Sequence, residues 1–306
     1  MRVALLLLAA LLAETVVSSA IRSKYDSFNE DLGRFKMLPF SAAAYADDPN
    51  LCLQSALGKD SSVYNIVEVS CDETDDTCRG FTAVSTKEKA IIISFRGTTA
   101  FLQLVAESTE TIMDSDYFPA GGRVSKYFYN AFKSVWTGGM KDDFLTLRNK
   151  YPEYDIWVTG HSLGGAMASL CAATLVYEND VDSSKLVMMS FGQPRVGDKT
   201  FADAHNALVR HSYRIVHHRD MVPHVPPENS PAAWFDGYRH HDSEVFYDND
   251  MSSGSNYFLC NEEEGSSCSD GLFVTLSIPD HLYYFQRKEI YPTFGNDGCP
   301  VQYLTE

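Results

Sequence analysis

The sequence lacks internal repeats and low-complexity linkers, so a single domain over residues 21–306 is the default organisation. Beyond its N-terminus it lacks any apolar run of the ~20 residues that a spanning helix needs. Neither C-x-x-C nor H-E-x-x-H spacing occurs, so neither a metal site nor a cofactor is expected. No Asn-x-Ser/Thr acceptor occurs, so N-glycosylation is not expected. Positive charge is scarce: 25 Lys and Arg stand against 41 Asp and Glu, a net charge of −16. That balance excludes nucleic acid as a partner and argues against electrostatic adsorption to anionic membranes. Docking on an uncharged lipid surface through an apolar patch stays open, because it needs no charge.

The first residues are not expected in the folded protein. One positive charge at Arg2, an Ala/Leu run to Leu12 and small residues at Ser18 and Ala20 describe a secretory signal peptide over residues 1–20. An uncleaved anchor is the competing reading, and the apolar run is too short for it. The expected location is therefore extracellular or lumenal. Seven cysteines fit such an oxidising compartment. Cys71 and Cys78 bracket one acidic loop and Cys260 and Cys268 another, so each pair could close a local bridge. Cys52 and Cys299 could tie the two ends of the domain together. Cys171 lies in an Ala-rich helical stretch and reads as a buried free thiol.

Periodicity outlines an α/β domain. Phe28, Leu32 and Phe35 mark one helical face over residues 28–38, with Ser27 and Glu30 spaced as a capping box. Ser41 to Tyr45 resumes the helical pattern after Pro39. Three strand candidates follow: one around Val63, Ile66 and Val67, one at Phe81–Val84, and the β-branched run Ala90–Phe95. Residues 122–150 carry a long helical pattern with Tyr127, Ala131, Phe132, Val135 and Trp136 on one side. Buried strands are expected at Tyr154–Thr159, Lys185–Phe191 and Ser212–Val216, and an edge strand at Ser243–Tyr247. A helix is expected from about Ser162 to Tyr177. Strands alternating with helices imply a mostly parallel central sheet with helices on both faces.

The chemistry centres on Gly160-His161-Ser162-Leu163-Gly164. As a bare pattern G-x-S-x-G is weak. Here a buried strand leads into it and an Ala-rich helix leaves it, the strand–turn–helix setting of a nucleophile elbow. An idle Ser at a glycine-rich helix start is the bland alternative. A Ser nucleophile needs a His base, and the His needs a carboxylate to fix its tautomer. In this fold class the chain order is Ser, acid, His. His281, late, loop-borne and expected to begin an aromatic helix (Leu282–Phe285), is the candidate base, with His241 in reserve. His161 precedes the nucleophile and is read as facing the wrong way. Asp220, shortly after the Ser212–Val216 strand, is the candidate acid. Its rival Asp198 reads better as the N-cap of a helix. Leu163 N–H and Thr98, through N–H and hydroxyl, are the candidate oxyanion donors. Arg96 reads as an ion-pair partner. Apolar residues at 101, 102, 104 and 105 form either a core-facing helix or a lid over the site.

Five stretches together resemble the class 3 lipase family, which includes the fungal triacylglycerol lipases. They are Ile93–Thr98, Val158–Ala166, Phe191–Gly197, Asp220–Pro223 and Asp280–Phe285, in the family's order. The resemblance implies an α/β-hydrolase fold, a catalytic set of Ser162, Asp220 and His281, an oxyanion hole from Thr98 and Leu163, and a terminus-tying bridge like Cys52–Cys299. Family lids often carry Trp, and residues 99–112 have none. The expected activity is hydrolysis of acylglycerol esters through an acyl-serine intermediate, with a lipid ester as substrate and no required protein partner. Another ester of the same family, such as a phospholipid, and a non-catalytic lipid-binding role are the alternatives.

Overall fold

The computed structural model describes residues 25–71, 77–98, 101–103, 105, 110–228, 237–287 and 293–300. The expected signal peptide lies outside them, as do several residues of the candidate lid. The fold is built on an eight-stranded sheet in the order β1-β2-β3-β6-β7-β9-β11-β12. These strands are β1 (Ser61–Ser70), β2 (Thr77–Ser85), β3 (Ala90–Phe95), β6 (Asp155–His161), β7 (Leu186–Phe191), β9 (Ser212–His217), β11 (Glu244–Tyr247) and β12 (Phe258–Cys260). Pairing is parallel from β3 through β6, β7 and β9 to β11, and antiparallel at both ends. A second, small antiparallel sheet joins β4 (Ser115–Tyr117), β5 (Arg123–Ser125), β8 (Gly197–Asp198) and β10 (Tyr238–Arg239).

Continuous apolar runs become central strands because helices cover both faces of the sheet. Successive residues of one strand therefore enter different cores. Ile91, Ile93, Val158 and Met188 face one cluster with Phe128, Phe132 and Leu170. Ile92, Trp157, Val187 and Met189 face the other with Leu38, Phe40 and Tyr284. Phe101 and Val105, from the candidate lid, are buried in the first cluster. Among the described residues no helix is long and apolar enough to cross a membrane.

Several local expectations need correction. The first helix is capped by Asn29, whose side chain accepts the Leu32 N–H, rather than by Ser27. It does not restart after Pro39. α1 (Glu30–Leu32) passes through a π-helical stretch, Gly33–Met37, straight into α2 (Leu38–Ala43). The wider π turn gives the proline ring room that a regular α turn lacks. The expected helix over 122–150 starts as β5 and is then divided. α4 (Lys126–Val135) meets α5 (Lys141–Lys150) across a π-helical stretch in which Gly139 sits at φ 135°, a conformation closed to other residues. The strand expected at the edge, β11, is interior and buried, because β12 pairs along its outer side.

The three disulfides join Cys52 to Cys299, Cys71 to Cys78 and Cys260 to Cys268, and Cys171 is a buried free thiol. Cys52–Cys299 closes a loop of 247 residues, and the Cys52 end belongs to α3 (Pro49–Leu57). Chain entropy makes so long a closure the most stabilising of the three. Replacing both cysteines by serine should lower unfolding stability by roughly 3–5 kcal/mol. Urea unfolding followed by fluorescence measures it, and replacing Cys71 and Cys78 should cost less.

Candidate active site

Ser162 lies between β6 and α6 (Leu163–Tyr177), at φ 61° and ψ −130°. A non-glycine residue there costs ~1–3 kcal/mol, which the surrounding packing must hold in place. Two backbone bonds do so: Ser162 N–H donates to Phe191 O at 3.0 Å and Gly165 N–H to Ser162 O at 2.8 Å. The flanking glycines are steric necessities. A Cβ on Gly160 would lie 2.2 Å from Gly164 O, and one on Gly164 2.3 Å from Phe95 O. Thus the motif's spacing lets the helix start directly against the strand ends.

Asp220 and His281 meet across 61 residues of chain. Asp220 follows β9 and is fully buried. Its Oδ1 accepts Val222 N–H at 2.8 Å and its Oδ2 accepts the Tyr284 hydroxyl at 2.7 Å. His281 Nδ1 stands 2.9 Å from both oxygens. The carboxylate accepts from all sides, so Nδ1 donates to it, and in the neutral ring Nε2 keeps its lone pair. His281 ends the short helix α8 (Ile278–His281) rather than beginning an aromatic one. Phe285 and Gln286 have positive φ, so the chain after it turns instead of coiling. Gly192, at φ 56°, makes room for this pair: a Cβ there would be 2.6 Å from Asp220 Oδ2 and 2.7 Å from His281 Nδ1.

Ser162 and the Asp220–His281 pair are linked through Phe191-Gly192. Phe191 O holds Ser162 N–H, and Gly192 abuts the His281 ring. The hydroxyl and the imidazole are not yet hydrogen-bonded: among the described residues, Ser162 Oγ and His281 Nε2 are both buried with no hydrogen-bond partner. Contacts of this kind commonly tighten only when substrate binds.

On the oxyanion side, Leu163 is the first residue of α6, and first-turn N–H groups lack partners within their helix. Thr98 is buried after β3, and its Oγ1 accepts Phe101 N–H at 3.0 Å, which leaves the hydroxyl proton to donate. A Cβ on neighbouring Gly97 would lie 3.0 Å from Ser162 Cβ, so this loop presses on the nucleophile turn. Arg96 is an ion-pair partner, as expected, reaching Glu68 at 3.3 Å and Thr77. Asp198 caps α7 (Lys199–Leu208) by accepting Phe201 N–H at 2.8 Å. His241 is remote in role, bonded to Gln193 and stacked on His205 at 3.7 Å.

Sequence reasoning passed over four contributors. Gly192 and Tyr284 lie in the family-like stretches, but nothing in their spacing announces a role against the carboxylate. Tyr45 falls outside those stretches. His161, set aside as a base, bears on the site in another way: its ring lies 4.3 Å from that of His281. Both its nitrogens are engaged, by Tyr45 Oη at 3.1 Å and His281 O at 2.8 Å.

Comparisons with known proteins agree with this geometry. The family described as Lipase (class 3) matches residues 92–230. Lipase ZK262.3 of Caenorhabditis elegans is 34% identical over 299 residues, 89% of this chain and 83% of that protein. The chain belongs to the class 3 lipase family. The Rhizomucor miehei lipase is 34% identical over 231 residues, covering 71% of this lipase and 61% of its own length. A lipase structure from Rhizopus microsporus var. chinensis superposes with a TM-score of 0.73 at 27% identity, covering 86% of this chain and 90% of that one. The Rhizomucor miehei triacylglyceride lipase structure gives 0.70 at 27%, covering 90% and 98%. This lipase therefore has the α/β-hydrolase fold and is a carboxylic ester hydrolase of the triacylglycerol lipase type.

Away from the site, the lipase buries a second histidine group. Burial holds His205 down to about 3 from the usual 6.5, with Arg214 adding to the effect, and keeps His240 and His241 well below that value. Each stays neutral in the fold while the unfolded chain takes up a proton below 6.5. Their stabilisation is complete above that pH and is lost as pH falls toward the folded values, by up to about 1.4 kcal/mol per pH unit for each group. Urea midpoints should therefore decline from pH 7 to pH 4. A His205→Gln variant should show a shallower slope.

Proposed function

We propose that this lipase hydrolyses uncharged acylglycerol esters with Ser162 as nucleophile, His281 as base and Asp220 as its orienting carboxylate. The observation that carries the assignment is the doubly contacted, fully buried Asp220–His281 pair beside the strained Ser162 turn. His281 Nε2 takes the Ser162 proton as the hydroxyl attacks the ester carbonyl. Leu163 N–H and Thr98 face the developing oxyanion. The same imidazole then passes its proton to the leaving alcohol, and later activates the water that releases the acid.

Lipid esters are favoured by the surface next to the base. Residues 271–279 contain no charged side chain, in a chain where 22% of residues are charged. Phe273 is fully exposed within that stretch, and Leu276 is exposed beside it. The stretch leads directly into α8 and His281, so an uncharged lipid surface can lie against it despite the acidic remainder. The relatives' names, lipase and triacylglyceride lipase, point the same way. Three disulfides and the N-terminal sequence favour secretion.

Ser162→Ala should reduce hydrolysis of emulsified triacylglycerol at least ~10⁴-fold while the unfolding midpoint is kept. A serine-directed phosphonate should label the wild type and not this variant. Near-wild-type turnover in Ser162→Ala would require another nucleophile. Comparing triacylglycerols, phospholipids and short soluble esters ranks the substrates, and preference for the phospholipid would displace the acylglycerol reading.

A further inference from the structure

Four polar groups make a directed chain across the nucleophile turn. Gly97 N–H donates to Tyr45 Oη at 2.9 Å. Tyr45 Oη lies 3.1 Å from His161 Nδ1, and His161 Nε2 lies 2.8 Å from His281 O. A carbonyl oxygen can only accept, so Nε2 must carry the ring proton. Burial, with the neighbouring His281, holds His161 well below its ordinary range, so the ring is neutral and Nδ1 is bare. Tyr45 therefore donates its hydroxyl proton to Nδ1. Every donor in the chain points one way, from the loop after β3 to the main chain of His281.

The geometry points to Tyr45 and His161 as positioning residues that tie the oxyanion-side loop, through this chain, to the segment carrying the general base. The inference rests on the catalytic roles proposed for Ser162, His281 and Thr98. Tyr45 comes from the turn after α2, Gly97 precedes Thr98, and His161 precedes Ser162. The chain thus sets the distances among three elements that must meet in the transition state. Ring contacts back it: His161 lies 4.3 Å from His281 and 6.0 Å, edge-on, from Tyr284, which itself holds Asp220. Neither Tyr45 nor His161 touches the reacting atoms in this scheme. They act by limiting displacement, and misplacement by ~1 Å can cost on the order of 100-fold in rate.

Tyr45→Phe tests the idea, because it keeps the ring and its packing and removes only the hydroxyl. On a soluble short-chain p-nitrophenyl ester, kcat should fall about 10- to 100-fold with KM changed less than about twofold. Phosphonate labelling of Ser162 should slow in parallel. Wild-type kcat in folded Tyr45→Phe would overturn the proposal, since packing alone is spared by phenylalanine. A second measurement needs no variant. In ¹⁵N-histidine-labelled wild type at about pH 7 to 8, the ring of His161 should show a protonated Nε2 and a bare Nδ1. A doubly protonated ring, or the Nδ1–H tautomer, would also overturn it, and this spectrum decides the matter if Tyr45→Phe fails to fold. Retained activity in Ser162→Ala would instead count against the catalytic assignment itself, so the two failures are distinguishable.

Discussion

A close crossing of main chains carries the rest of this structure. Helix α6 starts so near the end of β6 that Gly160 packs on Gly164 and Gly164 on Phe95, with no space for a Cβ at either glycine. Ser162 is forced into a left-handed backbone conformation at the apex and stays there because neighbours on both sides overdetermine it. The hydroxyl then stands at the edge of the sheet, with the first turn of a helix behind it. Strain, donor groups and the nucleophile candidate share one cause.

The remaining groups arrive by the same rule of position. β3, β6, β7 and β9 are neighbours in the sheet and run parallel. Thr98, Ser162, Gly192 and Asp220 follow their respective carboxyl ends. Parallel strands put all those ends on one side of the sheet, so four loops distant in sequence converge without any long excursion. His281 alone comes from outside the parallel block. It is brought in by the turn beginning at Ser277, which pairs with Asp220 and caps α8 with its own hydroxyl. Such a late element needs local ties, and Tyr284, Gly192 and His161 provide them through contacts within a few ångströms.

Much of this was legible from residue order. The β-branched runs became central strands with boundaries shifted by one or two residues, because burial on both faces demands such runs and little else produces them. The G-x-S-x-G setting, the rejection of Asp198 as acid and the assignment of Arg96 to an ion pair rest on local chemistry that the structure reproduces. Expectations failed where distant contacts override local pattern. Pro39 does not end its helix because a π turn makes room for it. Gly139 divides a long helical pattern through its backbone conformation, which periodicity of side chains does not report. β11 alternates in sequence like an edge strand yet is covered by β12.

The sequence by itself determined the α/β class, the strand–turn–helix at Ser162 and the residue types able to act there. Those properties follow from periodicity, glycine spacing and side-chain chemistry within a few tens of residues. Only the tertiary structure decided that Asp220 holds the ring of His281, that Gly192 leaves space for both, and that Tyr45 and His161 bridge the loop after β3 to the main chain of His281. Those contacts join residues from 28 to 120 positions apart, and their directions depend on how the loops pack once the sheet is closed.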